Sequence, residues 1–87
     1  MLRISQVQIS GDEVTARIEG SAVGPWVAEV RQYCEQVLAR GSRLTLDLQD
    51  LLFAGPEAVR LFRDLCGHGI VLTHCPPYLV EQLKQAR

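Results

Sequence analysis

The chain has 87 residues, 47% apolar and 22% charged, with a net charge of −1, the balance of one small globular domain over residues 1–87. Such a domain buries only about 60–65% of its unfolded surface, so its stability is modest and a partner or a second copy could add to it. The near-neutral charge, with no Lys/Arg cluster, argues against nucleic-acid binding, and no run approaches the roughly 20 apolar residues that span a bilayer.

The N-terminus, Met1-Leu2-Arg3-Ile4-Ser5-Gln6, has no apolar block behind its Arg and does not read as a secretory signal. Three cysteines without such a signal are most simply reduced thiols, and the expected compartment is the cytoplasm.

Along the chain, Leu2 and Ile4 alternate with polar residues. The alternation then slips to Val7 and Ile9, which predicts a bent or irregular edge strand. Gly11-Asp12 signals a turn, and Val14, Ala16 and Ile18 alternate cleanly behind it, completing a hairpin. After the loop from Gly20 to Gly24, Pro25 suits the first turn of a helix. Trp26, Val27, Val30, Cys34, Val37 and Leu38 share one face of that helix, and Arg40-Gly41 stops it.

Leu44, Leu46 and Leu48 predict an interior strand that continues through Leu51-Leu52-Phe53. A second helix starts after Gly55 and turns Ala58, Leu61, Phe62 and Leu65 inward, with Arg60 and Asp64 as a solvated pair, and ends near Gly67 or Gly69. Ile70 to His74 reads as a short buried strand. Pro76-Pro77 opens a third helix that runs to the C-terminus with Leu79, Val80 and Leu83 inward. The order β-β-α-β-α-β-α makes an α/β domain with a mixed four-stranded sheet and right-handed crossovers.

Ile18-Glu19-Gly20, Gly24-Pro25-Trp26, Leu44-Thr45-Leu46-Asp47-Leu48, Phe53 and Gly69-Ile70-Val71-Leu72 together resemble the STAS domain, the fold of bacterial anti-sigma factor antagonists. The resemblance covers residues 13 to about 83 and rests mainly on hydrophobic spacing with a few Gly and Asp positions. It implies a non-catalytic protein-interaction module without cofactor. Such a module serves in a regulatory system or as a small accessory subunit of a lipid-transport complex. The implied partner is an anti-sigma or kinase-like regulator or a transport-complex subunit.

Two departures stand out. The family's turn after the equivalent of Phe53 carries an Asp followed by a phosphorylatable Ser or Thr, whereas Gly55 and Pro56 stand there in this chain. No Ser or Thr occurs between Thr45 and Thr73, so no phosphorylation site is expected on the turn. The further C-terminal strand and helix of larger members are missing as well, as in a minimal member.

The turn itself reads as a well-built helix start: Gly55 as N-cap, Pro56 as first helical residue, and Glu57 on the positive end of the helix dipole. Glu57 as a fixed substitute for phosphate is the weaker reading, being one position late and carrying half the charge. In relatives this helix tip and its flanks dock a partner, so Ala54, Gly55, Pro56 and Glu57 are the candidate partner-binding residues. Trp26 joins them as a candidate anchor.

Other constellations read as structural. Cys66, His68, His74 and Cys75 lack the paired spacing of a zinc site, and Cys66 is expected to pack inside its helix. Cys75 at the end of a strand suggests a thiol phosphatase loop, but Glu81 stands where the Arg is needed and Pro76-Pro77 removes two amide donors. Its thiol is expected to be mildly acidified by the helix start. Tyr33 and Tyr78 read as packing aromatics, and Asp47 is expected to clamp a neighbouring loop. The rival functional class is a small-molecule, nucleotide or anion-binding domain using the helix N-terminus at Gly55-Pro56.

Overall fold

The computed structural model describes residues 2–85. Eight elements follow in order: β1 (Leu2–Ser10), β2 (Glu13–Ala22), α1 (Pro25–Ala39), β3 (Arg43–Asp47), β4 (Leu51–Ala54), α2 (Pro56–Gly67), β5 (Val71–Thr73) and α3 (Pro77–Gln85). The α/β class, the mixed sheet and the three helices agree with the sequence pattern. The strand count does not, because the expected third strand is divided into β3 and β4. The expected run of α3 to the C-terminus passes outside the described residues at positions 86 and 87.

β1 and β2 form the antiparallel hairpin, with Gly11 at φ +59° making the turn that a Cβ would strain. The slip in the alternation is a bulge between Gln6 and Gln8, which lets Ile4 face Ile18 and Ile9 face Val14. β2 then pairs in parallel with β3 along its first half, Ala16 opposite Leu46, and with β4 along its second half, Ala22 opposite Ala54. β5 adds in parallel outside β3, with Leu46 opposite Leu72.

Alternation decides what is buried. Val14, Ala16 and Ile18 of β2 and Leu44 and Leu46 of β3 are fully covered, while Thr15, Arg17, Glu19 and Thr45 on the other face remain half-exposed. The helices share one core with the apolar face. α1 contributes Val27, Val30, Cys34 and Val37; α2 contributes Ala58, Val59, Leu61, Phe62 and Leu65; α3 contributes Leu79. α2 packs between the other two helices. The result is two layers, with the second face of the sheet polar and uncovered.

The division of the third strand has a local cause. Asp47 accepts the N–H of Gln49 at 3.0 Å, an Asx-type turn, and the Leu51 N–H closes on the Leu48 carbonyl at 3.1 Å. Neighbours hold the bend: Gly20 donates to the Asp50 carbonyl at 3.1 Å and Leu48 donates to Thr73 at 2.9 Å.

Several burial expectations are corrected here. Leu52 and Phe53, expected inside an interior strand, are 76% and 51% exposed. Trp26 points away from the buried stripe of α1 and Leu38 is only half-buried. β5 is an edge strand in which Ile70 just before it is buried but Val71, opposite Thr45, is exposed on the uncovered face of the sheet. Cys66 is exposed, on the last turn of α2 beside an open groove shared with Leu72, Cys75 and Val80. Arg60 and Asp64 do not approach within ion-pair distance, as expected of long side chains that stay solvated.

Candidate functional site

The turn between β4 and α2 lies where β2 and β4 run out and α1 and α2 begin. Gly55 has extended backbone (φ −73°, ψ 174°), donates to the Ala22 carbonyl at 3.0 Å and accepts the Val59 N–H at 3.0 Å as the first helical bond of α2. Pro56 occupies the first helical position and Glu57 the first turn. α1 starts beside it with Gly24 as N-cap, where the Val27 N–H bonds the Gly24 carbonyl at 3.1 Å.

Between the two helix starts opens a cleft of about 330 Å³ whose walls include Val23, Gly24, Gly55, Pro56, Glu57 and Arg60. Of the five residues singled out from the sequence, Gly55, Pro56 and Glu57 line this cleft. Ala54 is 2% exposed and belongs to the core. Trp26 is 37% exposed on the first turn of α1, outside the cleft wall.

What sequence reasoning missed is the apolar surface beside the turn. The ladder between β2 and β4 pairs Gly20 with Leu51 but Ser21 with Phe53, so Leu52 is an extra, bulged residue. A bulge re-aims side chains, and here Leu52 and Phe53 both reach solvent. The signal was present as a continuous Leu51-Leu52-Phe53 run on a strand whose face alternates, since such a run cannot all point inward.

Beneath this rim Asp47 gathers a polar node. Only 8% exposed, it lies 3.2 Å from His74 Nδ1 and 3.6 Å from Arg17 Nε, and Arg17 Nε lies 3.8 Å from Asp50. Burial by itself would raise the Asp47 carboxyl, but the Gln49 N–H, His74 and Arg17 together hold it below its ordinary value. Asp47 therefore performs the loop-clamping role expected of it, and it ties the end of β5 as well. His74 adopts φ +53°, the only left-handed non-glycine residue among those described, as the chain leaves β5 for α3. α3 is fastened in turn by the Tyr78 hydroxyl, which donates to the Leu51 carbonyl at 2.9 Å.

The thiols correct one expectation. Cys75 is raised rather than acidified, by burial first and by the neighbouring Cys66 second. Cys34, 0% exposed, is pushed up to about 11 by burial and by Glu35. Labelling with a thiol reagent at pH 8 is expected to modify the exposed Cys66 first and the half-buried Cys75 more slowly, and to reach Cys34 only on unfolding, read by mass spectrometry.

Among the described residues no group of three or more His, Cys, Asp or Glu side chains is placed to hold a metal ion, and no helix is long and apolar enough to cross a membrane. In comparisons with known proteins, no family model matches the chain and no curated protein matches it.

Proposed function

We propose that the chain is a STAS-like, non-catalytic protein-interaction module of the bacterial cytoplasm. It acts in a regulatory complex of the anti-sigma factor antagonist type or as a small accessory subunit of a transport complex. The observation that carries this reading is the bulge in β4, which turns Leu52 and Phe53 to solvent directly before the Gly55-Pro56-Glu57 helix tip. Exposed apolar side chains clustered at one rim, next to polar neighbours, are the physical signature of a docking surface. The strand and helix order, with parallel β2–β3 and β3–β5 pairing, supports the resemblance. Pro56 offers no hydroxyl, so docking at this tip is not switched by phosphate on the turn.

The test is recovery of a stoichiometric protein with the tagged chain from its native cell. A Leu52→Asp/Phe53→Asp double variant is expected to weaken binding about 30-fold or more. Stability should stay within about 1 kcal/mol, about 0.5 kcal/mol for each exposed position. Undiminished binding by the variant would defeat this reading.

The second reading is an anion or nucleotide site in the cleft between the helix starts, favoured by Arg60 on its wall and opposed by Glu57 beside it. A small molecule retained through native mass spectrometry would decide for it.

A further inference from the structure

α3 is the least fastened of the three helices. Among the described residues, Leu79 is its one fully buried side chain and the Tyr78 hydroxyl its one side-chain hydrogen bond to the rest of the fold. Beside it opens a groove of about 380 Å³ walled by Cys66, Leu72, Cys75, Val80, Leu83 and Lys84. Two of the three cysteines of the chain therefore face one space. They reach it from separate elements. Cys66 lies on the last turn of α2, which closes through the Ile70 N–H on the Leu65 carbonyl at 3.1 Å, with Gly69 at φ +87°. That closure turns the chain back into β5, and His74 at φ +53° turns it out again, so Cys75 stands just ahead of α3. Cys66 is exposed, and Cys75 is half-buried against the core cluster. The charge of Cys66 is also felt at Cys75, which marks the two sulfurs as neighbours across the groove. Cys34, 0% exposed beneath α1, is out of reach.

We propose that Cys66 and Cys75 are a redox-modification site, a reversible disulfide that staples the end of α2 to the entrance of α3. The oxidant is a low-molecular-weight disulfide. Cys66, the thiol open to solvent, attacks it first as the thiolate. The small S–S bond breaks, a mixed disulfide forms on Cys66, and the departing thiolate takes up the proton that Cys66 gave. The Cys75 thiolate then attacks the Cys66 sulfur, forming the Cys66–Cys75 bond and releasing the second small thiol with the Cys75 proton. Two protein thiols are oxidised and one small disulfide is reduced to two thiols. Burial raises both cysteines, so the exchange is slow at pH 7 and quickens as pH rises towards their range. A disulfide holds its Cβ atoms roughly 3.5–4.5 Å apart. The groove is open on the solvent side, and the loosely fastened entrance of α3 moves towards α2 as the bond closes. In a reducing compartment such a bond is transient, which makes it a switch rather than a permanent tie.

The test is incubation of the intact, folded chain with oxidised glutathione at pH 8, followed by mass spectrometry. The monomer is expected to lose the mass of two hydrogen atoms, the loss to map to the segment holding Cys66 and Cys75, and a reductant to restore it. Cys34 should stay free, the far-ultraviolet circular dichroism should not change, and amide exchange over α3 should slow in the bridged chain. A Cys75→Ser variant should stop with one glutathione on Cys66, whereas Cys66→Ser should react about tenfold more slowly or less, its remaining thiol being half-buried. Separate glutathione adducts persisting on Cys66 and Cys75 of the native chain overturn the proposal. So does a bridge to Cys34 or to a second chain, or one found only in chains that have lost their native circular dichroism. Unchanged exchange over α3 in the bridged chain overturns the staple as well.

Discussion

Replacing Phe62 with Ala is expected to cost about 3–5 kcal/mol, the range for emptying a packed aromatic site. Phe62 is 0% exposed in the middle of α2, the helix that touches both other helices and closes the core over the sheet. It belongs to one buried cluster drawn from the sheet and all three helices, so no single element can relax into the void. A domain of this length has about 0.05–0.15 kcal/mol per residue in hand, roughly 4–13 kcal/mol in all. One substitution therefore removes a large fraction of the total. Urea unfolding followed by circular dichroism should show the midpoint falling sharply with little change in slope. Phe62→Leu, which keeps most of the volume, should cost about 1.5 kcal/mol or less. A Phe62→Ala cost under about 1 kcal/mol would mean that α2 is not packed as described.

The second large effect is expected at Asp47. Asp47→Ala removes the acceptor of the Gln49 N–H and leaves Arg17, whose Nε already has no hydrogen-bond partner, without its nearest carboxylate. We expect a loss of about 1–3 kcal/mol at pH 7. Asp47→Asn should fall between wild type and Ala, because its amide oxygen can still receive the Gln49 N–H.

The pH dependence follows from the direction of the Asp47 shift. Its folded carboxyl is held below the ordinary value of about 3.9, so near that pH the unfolded chain takes up the proton first. The stabilisation is complete above that ordinary value and is lost as pH falls through the lower, folded one. Unfolding at pH 7 and pH 3 should show a smaller loss on acidification for Asp47→Asn than for wild type. Equal losses would show that the carboxylate is not held as its neighbours indicate.

Most of the architecture was legible because burial follows periodicity. Val14-Ala16-Ile18 and Leu44-Leu46 are strand-period patterns, and Val27-Val30-Cys34-Val37 is a helix-period one. These are the residues that form the core. The slip at Val7 was visible for the same reason and proved to be the bulge.

What escaped has a common physical origin. The break at Leu48–Asp50 depends on a side chain bonding its own backbone at Gln49, which competes with the ladder where apolar character alone suggests a continuous strand. The exposure of Leu52 and Phe53 follows from a pairing offset with β2, a partner distant in sequence, so hydropathy misjudged both. Cys75 was misjudged because desolvation by surrounding side chains is set by α2 and α3 together. At the candidate site the helix start was fully readable from Gly55-Pro56-Glu57, whereas its apolar flank was not.

The bare polar face of the sheet carries a thermodynamic consequence. With helices on one side only, unfolding releases less oily surface to water than in a fully sandwiched α/β domain of equal length. The heat-capacity increment and the denaturant slope therefore lie towards the low end for small proteins. The stability curve of the domain is accordingly expected to be flat, its free energy changing only gently with temperature.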